Sequence, residues 1–277
     1  MKKTDLIKLI EKLGIAPSKK LGQNFLIDDQ FLDWIIRHAD IQLGEPILEV
    51  GPGLGALTGR LLAAGARLTA IEFDRKLAEY MRNTLVPRGL VLIEGDACKV
   101  KMESVFGSGV DFRVISNLPY SAGTIVVANL LDLVLPPKEM LIMLQKEVAY
   151  RFCAETGSDD YSALTARIAT VYDTSIVKTI PPDLFYPRPE IDSAIISLKR
   201  KESYPDFELR KIMSRLARTA FAHRRKKMFK QTASVFGTEP LAAAMASAGV
   251  DPDIRAERVT PEQFLAMAQY FIDHPQA

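Results

Sequence analysis

Ile47-Leu48-Glu49-Val50-Gly51-Pro52-Gly53-Leu54-Gly55 decides the fold. The short apolar run from Pro46 to Val50 does not alternate with polar residues, which suits a strand buried on both faces. Three glycines at alternate positions follow, and then a helical pattern from about Ala56 to Ala64. Glycines at the carboxyl end of a first strand let the backbone come close to a ligand, and open α/β sheets bind ligands at that end. A dinucleotide loop needs G-x-G-x-x-G with N–H groups facing a pyrophosphate. Here the glycines stand at 51, 53 and 55, and Pro52 removes one N–H. No Gly-Lys-Ser/Thr follows, so this is not a Walker loop. S-adenosylmethionine carries no phosphate and suits a glycine loop short of phosphate donors.

The same alternation extends outward. Strands are expected at Arg67–Phe73, Leu90–Glu94, Asp111–Ser116 and Met140–Leu144, with helices from Asp74 to about Leu85 and over 124–135. On the N-terminal side, 4–13 has helical spacing. Asp28 or Asp29 can cap a helix to about Ala39 that places Phe31, Leu32, Ile35 and Ile36 on one face. Strands alternating with helices imply a parallel sheet covered on both sides. Two later β-type runs, Thr174–Ile180 and Ser193–Leu198, flank a Pro-rich loop and suit a hairpin-like pair at the sheet edge. From about Tyr204 the rhythm is helical, with helices expected over 207–221, 226–235, 240–248 and 261–272. The expected organisation is therefore an α/β domain over 1–203, with a helical arm over 1–40, and an all-α domain over 204–277.

Acids stand at successive strand ends. Glu72 lies 21 residues after Gly51, where a carboxylate can accept from ribose hydroxyls. Asp96, in Gly95-Asp96-Ala97, is placed to accept from an adenine amino group. Either residue alone is more often a helix cap or a solvated group; three features at consecutive strand ends favour a cofactor.

The fourth strand runs into Asn117-Leu118-Pro119-Tyr120. An aromatic amine is a poor nucleophile because its lone pair is delocalised into the ring. Two fixed acceptors, the Asn117 side-chain oxygen and the Leu118 carbonyl, can bind its two N–H groups and favour a pyramidal nitrogen. Pro119 fixes the turn that presents the carbonyl. Tyr120 can stack on the base, worth about 1–3 kcal/mol. The base must leave its own stack to reach such a pocket. Phe185 reads equally as a packed loop aromatic and as a second face for the base.

Composition limits the alternatives. The 277 residues include only two cysteines, without a CxxC pair, and three widely separated histidines. Neither a disulfide framework nor a zinc site is expected. No apolar run approaches the roughly 20 residues of a membrane span, and no secretory h-region follows the N-terminal lysines, so a cytoplasmic protein is expected. The net charge is +2, but 199–230 holds twelve Lys or Arg against three acids, and 1–25 holds six lysines against two acids. Such a run is usually a solvated helix face; the density around His223-Arg224-Arg225-Lys226-Lys227 favours a polyanion partner instead.

Leu21-Gly22-Gln23-Asn24-Phe25-Leu26, the glycine loop, Glu72, Gly95-Asp96-Ala97 and Asn117-Leu118-Pro119-Tyr120 together resemble the ribosomal RNA adenine dimethyltransferases, a branch of the rRNA adenine N6-methyltransferase family. The resemblance continues through 145–152, 185–194, 221–226 and 255–257, covering about 17 to 260. It implies a Rossmann-like class I methyltransferase fold with a seven-stranded, mostly parallel sheet and a small helical C-terminal domain. It also implies dimethylation of two adjacent adenosines in a hairpin loop near the 3′ end of bacterial small-subunit (16S) rRNA, within ribosome biogenesis, by a monomer. On the same basis Asn24 and Leu26 join Gly51, Gly53, Glu72, Asp96, Ala97 and Asn117 around the cofactor. Tyr120 and Phe185 would sandwich the base, and Arg224, Arg225, Lys226 and Lys227 would grip RNA. Thr156-Gly157-Ser158-Asp159-Asp160 departs from the family pattern in being less basic. Three rivals remain: the antibiotic-resistance branch acting on large-subunit rRNA, a ribosome-assembly factor that no longer methylates, and a glutamine-modifying methyltransferase. The last prefers Pro where this chain has Leu118.

Overall fold

Val50, Glu72, Glu94 and Asn117 close four neighbouring parallel strands, so the sequence features singled out above fall on one edge of one sheet. The computed structural model describes residues 3–15, 17, 22–107, 109–223 and 226–275. The elements are α1 (Lys3–Lys12), α2 (Asp29–Ala39), β1 (Pro46–Val50), α3 (Ala56–Ala63), β2 (Arg67–Glu72), α4 (Arg75–Thr84), β3 (Val91–Glu94), α5 (Glu103–Phe106), β4 (Arg113–Asn117), α6 (Gly123–Leu131) and β5 (Glu139–Gln145). After these come α7 (Lys146–Phe152), α8 (Ala163–Val171), β6 (Tyr172–Ile180), β7 (Ser193–Arg200), α9 (Phe207–Ala220), α10 (Phe229–Phe236), α11 (Thr238–Ser247) and α12 (Pro261–Asp273). The seven strands are ordered β3-β2-β1-β4-β5-β7-β6. The pairs β1–β2, β1–β4, β2–β3 and β4–β5 are parallel. A separate two-residue pair joins Phe25–Leu26 to Phe185–Tyr186 in antiparallel register.

Local signals explain much of this. Asp28 caps α2 by accepting from Phe31 N at 2.6 Å, and Asp74 caps α4 by accepting from Lys76 N and Leu77 N. Phe31, Leu32 and Ile35 are buried on the inner face of α2, and Ile36 packs partly against the same cluster. Ile47 and Leu48 are fully covered, as a strand with helices on both sides requires. The stretch 146–171, to which the sequence pattern assigns no element, forms α7 and α8. The helix expected from 226 begins at Phe229 instead, because Lys227 bridges to Arg255 in an extended pairing.

The chain divides into two compact units, but not by a single cut near 203. One comprises residues 1–130, 135–149 and 175–198, and the other 131–134, 150–174 and 199–277. The physical reason lies in the core of the second unit. Tyr161 and Ala166 belong to the same apolar cluster as Met213, Leu216, Met245 and Phe264. The Tyr161 hydroxyl donates to Val259 O at 3.1 Å. Arg210, itself buried, donates to the carbonyls of Leu131, Leu133 and Val134 at 2.6–3.0 Å and holds that short segment to the unit. Among the described residues no helix is long and apolar enough to cross a membrane.

Candidate active site

The sheet opens at its carboxyl edge between β1 and β4. Their ladder holds only at Ile47↔Arg113 and Leu48↔Val114, whereas β1 and β2 stay paired to Val50↔Ile71. Beyond the split, Ser116 substitutes a side chain for backbone pairing: its Oγ donates to Val50 O at 2.7 Å and accepts from Val50 N at 3.2 Å. This is also the point at which strand order reverses, where α/β sheets form their binding crevice. A cavity of about 310 Å³ lies there. Residues 22–26, 49–54, 72–74, 95–98 and 117–122 supply most of its lining.

Close packing accounts for the glycines. Gly51 has φ +67°, and a Cβ there would sit 2.7 Å from Pro119 Cγ. The glycine loop and the Asn117–Tyr120 turn can therefore meet only without a side chain at 51. A Cβ on Gly53 would press to 3.0 Å against the Phe25 ring. Glu72 ties the same loop down, accepting from Gly53 N at 3.1 Å and Asp74 N at 2.8 Å. Burial pushes its carboxyl up to about 7, against the lowering effect of those N–H groups. Asp96 accepts from Cys98 N at 3.0 Å, and that hydrogen bond, with Lys99 nearby, holds its carboxyl below the usual value.

The acceptor side is arranged differently. Asn117 Nδ2 donates to Asn24 O at 3.3 Å, which fixes the amide's orientation. Its Oδ1 is buried and has no hydrogen-bond partner. Leu118 N donates to Met143 O, and Pro119 O accepts from Ala122 N and Gly123 N, which starts α6. The Tyr120 hydroxyl shares a 2.5 Å hydrogen bond with Ser193 Oγ, and burial raises its pKa.

All the residues expected around a cofactor, Asn24, Leu26, Gly51, Gly53, Glu72, Asp96, Ala97 and Asn117, line this one cavity, as do Leu118, Pro119 and Tyr120. Phe185 does not line it. Its ring is 2% exposed, inside the apolar cluster that contains Leu26 and Phe31, and its backbone pairs with Leu26.

The chain matches the ribosomal RNA adenine dimethylase family over residues 16–273. It belongs to that family. A small subunit methyltransferase A of Moorella thermoacetica is 35% identical over 272 residues, covering 94% of each chain. The protein of the same description in Myxococcus xanthus is 36% identical, covering 94% of this chain and 92% of the relative. Among solved structures, a dimethyladenosine transferase of Plasmodium falciparum shares the fold at TM-score 0.71 and 24% identity, covering 90% of this chain and 98% of its own. The 23S rRNA methyltransferase ErmE has TM-score 0.62 and 25% identity, covering 89% of this chain and 99% of its own.

For this adenine dimethylase, two cavity residues escaped sequence reasoning. Phe73 lines the cavity with 57% of its surface exposed, and an aromatic ring directly after the strand-ending Glu72 was a usable signal. Glu49 lines the cavity from within β1, and its Oε2 is buried without a partner. Burial, and then the charge of Glu72, push its carboxyl up to about 8. In the helical unit, Arg224 and Arg225 lie outside the described residues. Lys226 and Lys227 are exposed, and Lys227 pairs with Asp253 at 2.8 Å. No cluster of three potential metal ligands occurs among the described residues.

Proposed function

We propose that the chain transfers methyl groups from S-adenosylmethionine to the exocyclic N6 amine of two adjacent adenosines near the 3′ end of small-subunit rRNA. The observation that carries this reading is the unpartnered, buried Asn117 Oδ1. A buried acceptor without a partner costs roughly 1–3 kcal/mol, so it belongs where a ligand donor will meet it. An adenine amine is such a donor.

The cavity residues fit S-adenosylmethionine. Glu72 suits the ribose hydroxyls, Asp96 the adenine amine and Phe73 the adenine face. Gly51 and Gly53 leave room beside the loop backbone, and the unpartnered Glu49 Oε2 suits the methionine ammonium. When bound, the cofactor supplies an electrophilic methyl on a sulfonium. The chain's own work is positioning: Asn117 Oδ1 and the Leu118 carbonyl take the two N–H groups, and Tyr120 stacks on the base. Fixing the amine in line with the methyl supplies up to about 7–11 kcal/mol of the barrier. For Phe185 to be a second stacking face, the 185–186 strand must withdraw from Leu26 and uncover the ring. The basic residues Arg224, Arg225, Lys226 and Lys227 are assigned to phosphate contacts, which would orient the RNA without reading its bases.

The test supplies labelled S-adenosylmethionine and two substrates, small-subunit particles lacking the modification and large-subunit rRNA. Dimethyladenosine in the small-subunit RNA is expected. Label confined to large-subunit rRNA would transfer the chain to the resistance branch, and no label in either would leave a binding factor.

A further inference from the structure

Tyr120 is held at both ends. Gly22 lies so close that a Cβ there would sit 2.9 Å from Tyr120 N and 3.4 Å from its Cβ. At the far end of the side chain, the hydroxyl meets Ser193 Oγ across 73 residues of sequence. Ser193 opens β7 and is fully covered. The residue before it is anchored as well: Lys146 N donates to Asp192 O at 3.0 Å, and Lys146 Nζ lies 3.5 Å from Asp192 Oδ2. The turn after β4 is therefore tied to β7, two places along the sheet. A buried hydroxyl is retained where it has a partner, and Tyr120 is the partner here.

We propose that Ser193 is a positioning residue for the methyl acceptor: its hydroxyl fixes the orientation of the Tyr120 ring, so that one face meets the base beside Asn117 Oδ1. The proposal rests on the reading of Tyr120 as the stacking face. A phenol ring packed only at its Cβ end can swing and rotate. The bond to Ser193 removes that freedom before the base arrives, which is how positioned groups lower a barrier. It also gives the Phe185–Ser193 segment a part in the site that does not require the Phe185 ring to be uncovered.

The experiment is a double-mutant cycle of Ser193→Ala and Tyr120→Phe, read by single-turnover methyl transfer at saturating S-adenosylmethionine. Each single variant is expected to lower the transfer rate about tenfold, the usual worth of one such bond, with cofactor affinity unchanged. The double variant should be no slower than the slower single, because both changes remove the same bond. Effects that multiply, or singles that lower only the melting temperature, would overturn the proposal. Tyr120→Phe breaks the bond without touching β7, so misfolding of Ser193→Ala leaves a decisive arm. Rates are compared on whichever RNA the unsubstituted chain methylates, so an error about the target RNA appears as a different substrate, not as lost coupling. A readout without turnover uses 3-fluorotyrosine at the eight tyrosines. The fluorine line that Tyr120→Phe removes should move in Ser193→Ala, and an unmoved line would overturn the proposal as well.

Discussion

The two halves of the cavity treat their polar atoms in opposite ways. On the side assigned to the nucleoside of the cofactor, the carboxylates are already engaged: Glu72 with Gly53 N and Asp74 N, Asp96 with Cys98 N. On the acceptor side, Asn117 has its donor anchored to Asn24 O and its acceptor left open. The first half is shaped by its own hydrogen bonds and needs no ligand to hold its form. The second keeps an unmet demand that only an incoming N–H donor satisfies. A site that must bind one cofactor repeatedly gains from the first arrangement. A site that must act on a weakly nucleophilic amine gains from the second, since the open acceptor interacts most strongly as positive charge develops on the amine nitrogen.

Phe185 tests how far the acceptor half extends, and it carries the largest expected effect. Phe185→Ala should destabilise the chain by about 3–5 kcal/mol in denaturant unfolding, because a fully covered aromatic ring leaves a cavity. Phe185→Leu keeps most of the volume and separates the roles. If it folds normally and transfers normally, the acceptor half has one face, Tyr120. If it folds normally and loses transfer, the ring reaches the base during the reaction, and the comparison has to include a moving wall.

Asn117→Ala strikes the asymmetry itself. Loss of one oriented group acting in the transition state commonly costs about 10²–10³-fold in rate. That loss is expected in single-turnover transfer, while calorimetric cofactor affinity falls by no more than about tenfold, a hydrogen bond's worth. Equal losses in rate and in cofactor affinity would show that Asn117 serves the cofactor half, and the contrast drawn above would collapse.

What could be read from the chain follows the range of the interactions. Asp28 and Asp74 cap helices through contacts two or three residues away, and both caps were legible. The strand-end positions of Gly51, Glu72, Asp96 and Asn117 were legible too, because a βα repeat puts every strand end on the same edge. Phe185 was not, since its burial depends on pairing with Leu26 across most of the α/β unit. The boundary near 203, read from the helical rhythm that starts at about Tyr204, leaves out Tyr161 for the same reason: nothing local shows that it packs among helices formed after residue 207. Helix α7 escaped because it spans only seven residues, about two turns, and α8 because it lacks the one-sided apolar stripe that a surface helix presents; Thr165, Ala166, Arg167, Ile168, Thr170 and Val171 of α8 are all buried.

Glu49 complicates the comparison, because it stands on the cofactor side yet leaves Oε2 without a partner. Its carboxyl is pushed up to about 8 by burial, and the usual unfolded value is near 4.5. Between those values the folded chain holds a proton that the unfolded chain has lost, so cofactor-free stability must fall as pH rises through that window. The slope is at most about 1.4 kcal/mol per pH unit for one group. Melting temperature measured from pH 5 to 9 should therefore decline, and Glu49→Gln should flatten the decline. A bound ammonium would favour the carboxylate and reverse part of the trend, so S-adenosylmethionine should stabilise the chain more at pH 8 than at pH 6, and Glu49→Gln should reduce that difference to what Glu72, itself raised to about 7, contributes. If Glu49→Gln leaves both slopes unchanged, the Glu49 carboxyl titrates alike in the folded and unfolded chain and does not meet the ammonium. The open demand in this cavity would then be confined to the acceptor half.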